Sequence, residues 1–193
     1  MITYIQGKLV EKNPTDVVID CNGVGYLLNI SLHTFSQIPD KENLKLYTYL
    51  QVREDSHTLY GFSSLAEREI FKLLISVSGI GSSTARTMLS SLTPKQVREG
   101  IATNNVSLIQ SIKGIGAKTA QRVIIDLKDK VLKIYDIDEV SISQNNTSKD
   151  EALSALEVLG FARKQAEKVV DKIIATQEDA NVETIIKLAL KNL

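Results

Sequence analysis

LLISVSGIGSSTARTML, at residues Leu73–Leu89, returns 35 positions later as LIQSIKGIGAKTAQRVI, at Leu108–Ile124. The pairs Leu73/Leu108, Ser76/Ser111, Gly79/Gly114, Ile80/Ile115, Gly81/Gly116, Thr84/Thr119 and Ala85/Ala120 are identical. Each copy reads as an apolar helix, a Gly-Ile-Gly turn and a second helix starting two or three residues later. Repetition at fixed spacing points to one supersecondary unit used twice.

The turn has a specific physical reading. Glycine reaches backbone angles closed to other residues and removes the side chain that would block a close approach. The central Ile80 or Ile115 can turn inward and hold the two helices together. The exposed amides and the N-terminus of the following helix then form an anion site suited to a phosphate oxygen. Contacts from backbone to phosphate carry no base information, so binding through such hairpins is expected to ignore sequence. A single G-x-G is as compatible with a plain helix–helix turn; two copies in equivalent contexts favour a double helix–hairpin–helix phosphate clamp. GAKT at Gly116–Thr119 looks like a nucleotide-binding loop. It lacks the contiguous GK[ST] and the preceding strand that such a loop needs.

The formal net charge is zero. By segment, residues 1–62 carry 5 Lys/Arg and 7 Asp/Glu, residues 63–135 carry 11 and 5, and residues 136–193 carry 7 and 11. The repeat therefore lies in the one basic third of a neutral chain, the asymmetry expected of a single polyanion-facing surface. Lys113, Lys118 and Arg122 surround the second hairpin. Ser82 and Ser83 follow the first, with Arg86 one turn on.

Outward from the repeat, the fold class reads as α+β in three pieces. Residues 1–62 hold five short runs rich in β-branched and aromatic residues, separated by Asn13-Pro14, Asn22-Gly23 and Pro39-Asp40 turns. Five strands without an intervening helical period fit an OB-like β-barrel, with one helical turn at Thr34–Ile38. Residues 63–135 are all-α: Ser64-x-x-Glu67 is a capping box, and Thr93-Pro94-x-Gln96 opens another helix. Residues 136–148, acidic then polar, read as a flexible linker. Residues 149–193 form a three-helix, UBA-like unit, opened by a Ser148-x-x-Glu151 box. In it Leu153, Leu156 and Leu159 share a face and Gly160 is a left-handed cap. A unit this small buries little core and suits docking better than scaffolding.

Composition excludes several function classes. The longest apolar runs are far too short to cross a bilayer, and the N-terminus lacks the pattern of a signal peptide. Cys21, the one cysteine, lies in a strand-like run and reads as a buried inert thiol. A reducing cytoplasm is the default setting. His33 and His57 have no partners at ligand spacing, so no metal and no cofactor are expected, and no motif supports catalysis. Two rivals remain open on these residues alone. A helix–hairpin–helix glycosylase would need a catalytic Lys or Asp beside a base-flipping pocket. A protein-docking adaptor would leave the repeat and the charge asymmetry without a purpose.

MI-x4-G-x-L at the start, NGVGY at Asn22–Tyr26, VREDSHTLYGF at Val52–Phe62, the two hairpins, DLKDK at Asp126–Lys130 and EALSALEVLGF at Glu151–Phe161 together make a specific set. On them the chain closely resembles, over essentially its whole length, the RuvA family of Holliday-junction-binding subunits of bacterial branch-migration machines.

The resemblance implies a homotetramer that holds an open, square-planar four-way DNA junction, either alone or as two face-to-face tetramers. It implies the RuvB hexameric ATPase as partner of the third unit and the RuvC resolvase as a further partner. It makes Gly79, Ile80, Gly81, Ser82, Ser83, Arg86, Lys113, Gly114, Ile115, Gly116, Lys118, Thr119 and Arg122 the DNA-binding set. Glu54 and Asp55 become an acidic pin whose charge meets the converging phosphates. Leu156, Leu159, Gly160, Phe161, Ala166 and Val170 become the RuvB-docking residues. One departure is visible: Ser82 and Ser83 stand where the family often has Lys, which leaves side-chain contacts at the first hairpin in question.

Overall fold

A computed structural model describes residues 1–39, 43–132, 148–176 and 180–193. The chain divides into two compact units, Met1–Ile137 and Asp138–Leu193. The expected linker at 136–148 lies outside the described residues except for Ser148, which is already helical.

In the first unit, strands β1 (Tyr4–Lys12), β2 (Asp16–Cys21), β3 (Val24–Asn29), β4 (Asn43–Val52) and β5 (His57–Phe62) close into a barrel in the order β1-β2-β3-β5-β4. This is the OB-like architecture read from the five strand-like runs. Along β4 the residues Leu44, Leu46 and Thr48 are buried while Lys45 points outward, the period of two that a half-buried strand requires. Asn22 and Gly23, with φ of 55° and 89°, form a two-residue turn between β2 and β3, which is why Asn-Gly stands there. Gly7 lets β1 press onto β2: a Cβ there would lie 2.1 Å from the Asp20 carbonyl oxygen. At the β1–β2 turn the Asp16 carboxylate accepts from Asn13 Nδ2 at 3.0 Å and from Thr15 Oγ1 at 2.8 Å. Those two bonds hold its pKa below the usual carboxylate value. Cys21 is half-buried rather than enclosed, because its Sγ reaches back to the Gln6 carbonyl at 3.2 Å across the barrel rim.

The short helix α1 (Leu32–Gln37) follows β3, and then α2 (Leu65–Ile75), α3 (Ser82–Ser91), α4 (Pro94–Ala102), α5 (Val106–Gln110) and α6 (Ala117–Leu132) complete the unit. Thr93 and Gln96 make the reciprocal capping box expected at α4. The box expected at Ser64 is only half realised. Ser64 Oγ accepts from the Glu67 amide at 3.1 Å, but the Glu67 carboxylate turns away from the Ser64 backbone. It is fully buried and accepts from Ser31 Oγ at 2.5 Å, Thr34 Oγ1 at 2.6 Å, and the Ser63 amide and hydroxyl at 3.2 Å each. A buried charge is tolerable only when surrounded by donors, and these come from α1 and from the chain between β5 and α2.

Phe71 of α2 is likewise enclosed, against Tyr49, Tyr60 and Phe62 at ring distances of 5.6, 5.0 and 5.0 Å. The core of the helices thus runs continuously into the last strand, while the barrel interior has its own core around Val17, Ile19, Leu28 and Leu46. Residue 62 marks a change of secondary structure and not a break in packing.

The second unit has three helices, α7 (Ser148–Val158), α8 (Arg163–Thr176) and α9 (Val182–Asn192), packed about Leu153, Leu156, Ala166, Val170 and Ile185. Gly160, at φ 97°, ends α7 in a left-handed cap, and the Phe161 amide bonds back to the Leu156 carbonyl at 3.1 Å. Leu159 leaves the expected face and is exposed, because it lies beyond the last turn of α7.

The Glu67 cluster gives the first test. Glu67→Ala strands two buried hydroxyls, those of Ser31 and Thr34, and should destabilise the protein by about 3 kcal/mol, read as a lower urea midpoint. Glu67→Gln keeps the shape and one acceptor oxygen and should cost less; equal losses for the two would show that the cluster depends on the charge and on both carboxylate oxygens.

Candidate nucleic-acid interface

The two hairpins share the backbone of the turn itself. Gly79 and Gly114 take φ of 96° and 91°. The Ile80 amide bonds to the Val77 carbonyl at 3.0 Å, and the Ile115 amide to the Ile112 carbonyl at 3.1 Å. The Ala85 amide bonds to the Gly81 carbonyl and the Ala120 amide to the Gly116 carbonyl, both at 2.9 Å. Even the serines preceding the turns agree: Ser76 Oγ donates to the Leu73 carbonyl at 2.7 Å and Ser111 Oγ to the Leu108 carbonyl at 2.8 Å. Ile80 and Ile115 are each 5% exposed and belong to the helical core, as their role of holding the helix pair demands.

Within each turn the two glycines are there for different reasons. Gly79 and Gly114 occupy the left-handed region, where a side chain is strained. Gly81 and Gly116 do not, and a Cβ on either would meet nothing within 4 Å. Folding makes no demand for glycine at these two positions. Their bareness matters only to something approaching from outside. Gly81 caps α3 without a side-chain bond, so the amides of Ser82, Ser83 and Thr84 have no acceptor within the helix. Ala117, Lys118 and Thr119 stand in the same relation to α6. Amides without a helical acceptor, with the positive end of the helix dipole behind them, are suited to an anion.

The hairpins are neighbours. Arg122, on α6 of the second, donates from Nη1 to the Ser78 carbonyl of the first at 3.4 Å. Lys113, Gly114, Gly116, Lys118 and Arg122 are exposed, and Thr119 is half-buried. Around the first hairpin Gly79, Gly81 and Ser83 are exposed. Two members of the expected set are placed differently. The Ser82 hydroxyl is enclosed, 3% of the residue being exposed, and has no hydrogen-bond partner, since the first turn of α3 tucks it inward. Arg86 does not stand free beside the hairpin either. Its Nη1 donates to Asn29 Oδ1 at 2.7 Å and to the Thr15 carbonyl at 3.3 Å, tying α3 to the barrel.

Glu54 and Asp55 lie at the tip of the β4–β5 hairpin, a four-residue loop closed by the Arg53 amide on the Ser56 carbonyl at 2.8 Å. Both are exposed, and among the described residues neither carboxylate has an ion-pair partner. In the second unit, Leu156, Ala166 and Val170 are fully enclosed, so they form its core and cannot be contact residues as expected. Leu159 and Gly160 are exposed and Phe161 is half-buried, with Val158 beside them 88% exposed. Among the described residues no group of three or more His, Cys, Asp or Glu could hold a metal ion, and no helix is long and apolar enough to cross a membrane. Glu67 and the Arg86–Asn29 pair are not legible as joints in the sequence, because Ser31, Thr34 and Asn29 lie 33 to 57 residues from the groups they meet.

A small barrel fused to duplicated hairpins with bare amides defines a tandem helix–hairpin–helix, DNA-binding protein with an OB-like domain. Residues 1–61 match the RuvA N terminal domain, 71–129 the SAM-like helix-hairpin-helix tandem, and 148–193 the RuvA C-terminal domain. The chain is 70% identical to a protein of Flavobacterium psychrophilum, 66% to one of Christiangramia forsetii and 50% to one of Bacteroides thetaiotaomicron, over the full length of both chains each time. All three carry the name Holliday junction branch migration complex subunit RuvA. The chain belongs to the RuvA family.

The division of labour between the glycines is directly testable. Gly114→Val places a β-branched residue in a left-handed conformation and should cost about 1–2 kcal/mol of stability along with DNA binding. Gly116→Val should leave the melting temperature near wild type and still abolish binding. Retained binding by the folded Gly116 variant would make the hairpin a structural turn only.

Proposed function

We propose that this chain binds four-way DNA junctions, independently of sequence, as the non-catalytic DNA-holding subunit of an ATP-driven branch-migration complex. The observation that carries the proposal is the pair of equivalent hairpins, side by side and with bare amides, in a chain so similar to proteins of that name. In this reading the amides after Gly81 and Gly116 receive phosphate oxygens, with Lys113, Lys118 and Arg122 adding Coulomb attraction at the second hairpin. Ser83 and Thr84 supply what the first hairpin has in place of lysine. Four chains assemble around a fourfold axis, as one tetramer or two face to face.

The tip at Glu54 and Asp55 then lies at the crossover, where its charge repels phosphates, opposes ordinary duplex and favours parted strands. The second unit engages the RuvB ATPase through the exposed surface about Val158, Leu159 and Phe161. RuvC is the further partner, and the cytoplasm the site of action.

The deciding experiment is a comparison of a synthetic four-way junction with linear duplex of the same sequences. The junction should bind far more tightly and with no dependence on arm sequence; equal affinity would remove the junction reading. Native mass measurement with and without the junction reports assembly in the same samples. Glu54→Gln with Asp55→Asn should raise duplex affinity. Lys118→Ala should make the log–log salt dependence shallower by about one unit for each phosphate that the lysine neutralises. Truncation before Ser148 should spare junction binding and remove stimulation of the ATPase.

A further inference from the structure

We infer that Arg86 is a positioning residue: by gripping Asn29 it fixes the first hairpin relative to the acidic tip, and so sets the preference for a junction over duplex. The inference rests on the junction-binding reading and deepens it.

The helix that begins at Gly81 meets the barrel twice beyond the covalent link at Ser63. The Leu32 amide, at the start of α1, donates to Ser90 Oγ of α3 at 3.1 Å, and Ser90 Oγ donates in turn to the Arg86 carbonyl at 2.8 Å. The Arg86 side chain makes the stronger connection, 2.7 Å to Asn29 Oδ1, with the Thr15 carbonyl as second acceptor. Asn29 is no arbitrary anchor. It is the last residue of β3 and pairs with Tyr60 of β5, the parallel contact that closes the barrel. β5 is the strand that leaves the Arg53–Ser56 tip. A mechanical path therefore runs from the Gly79–Gly81 hairpin through α3, Arg86 and Asn29 into β5 and on to Glu54 and Asp55.

A sequence-blind phosphate clamp cannot by itself tell a junction from duplex, because both present the same backbone. Discrimination needs the phosphate sites and the acidic tip held at one fixed offset. A charge-assisted bond from guanidinium to a side-chain oxygen is short and directional enough to hold it. The second hairpin has no equivalent of this grip: the residue matching Arg86 is Gln121, and it is exposed. Of the two hairpins, the first is the one whose place is referred to the barrel through α3.

The test uses the full chain and compares Arg86→Met, Asn29→Ala and Asn29→Asp. Asn29→Ala is the decisive variant, since it releases the grip and leaves every positive charge in place. It should lower the ratio of junction to duplex affinity about three- to tenfold with duplex affinity and salt slope unchanged. It should also reduce the fluorescence of 2-aminopurine placed at the crossover, which reports unstacked bases. Arg86→Met should do the same, and Asn29→Asp, which keeps an acceptor, should retain the wild-type ratio.

Three results would overturn the inference. One is an unchanged ratio in Asn29→Ala. Another is a loss confined to Arg86→Met that affects junction and duplex alike and makes the salt slope shallower, which would make Arg86 a phosphate contact. The third is an equal loss in Asn29→Ala and Asn29→Asp. Should Arg86→Met fail to fold, the two Asn29 variants decide the matter alone. Failure of the junction reading itself would be seen in the wild-type protein, as equal affinity for both DNAs.

Discussion

A carboxylate without exposed surface has to be met by donors, and Glu67 draws them from two separated stretches of chain. Ser31 and Thr34 come from the helix that follows β3, and Ser63 from the link between β5 and α2. Burying the charge is costly, so the arrangement survives only if all these groups arrive together. That requirement makes the start of α2 and the end of the barrel one structure. The helices beyond α2 in the first unit build on this joint, and α3 adds ties of its own to the barrel through Arg86 and to α1 through Ser90. Phe71, one turn further along the same helix, adds an aromatic seat among Tyr49, Tyr60 and Phe62. Polar and apolar contacts thus act at the same seam, the first fixing geometry and the second contributing most of the area removed from water.

Local features of the fold are readable in the sequence because they are decided locally. The Asn22-Gly23 turn, the Thr93–Gln96 box, the Gly160 cap and the two hairpins each follow from residues within a few positions of one another. The seam is not readable for the opposite reason. Ser64-x-x-Glu67 satisfies the local rule for a capping box, and the local rule predicts a reciprocal bond that does not form. Tertiary donors at Ser31 and Thr34 outcompete the Ser64 amide, and no pattern along the chain marks them. The same holds for Arg86: one turn after a hairpin it looks like a phosphate ligand, until Asn29 is found within 2.7 Å. Leu156, Ala166 and Val170 show the limit in another form. A helical stripe of apolar residues identifies a face, but in a three-helix unit that face is taken up by the unit's own core.

The two hairpins share the backbone of the turn and its buried Ile, and differ in the polar side chains around it. At the first, Ser82 is turned inward and Arg86 is engaged by the barrel, so its attraction for an anion comes from amides and the helix dipole. At the second, Lys113, Lys118 and Arg122 are exposed around equivalent amides. A screened, long-range attraction and a short-range, directional one are therefore divided between two copies of one motif. On the proposed function, charge at the second hairpin would bring a polyanion close from a distance. The first hairpin, with less charge and a place fixed relative to the barrel, would discriminate by geometry once contact is made.

This division also accounts for a neutral chain whose ligand is a polyanion. If lysines alone held the phosphates, specificity for a branched backbone would have to compete with attraction to any duplex, and affinity would track salt steeply. Amides bind an oxygen only at the correct distance and angle, and carry no net charge that would act at long range. In the proposed reading, the exposed carboxylates of Glu54 and Asp55 weaken attraction for every DNA, and weaken it least where the strands have already parted. A protein built to select a shape has reason to keep its net charge low, and to put its positive charge at one hairpin instead of spreading it across the surface.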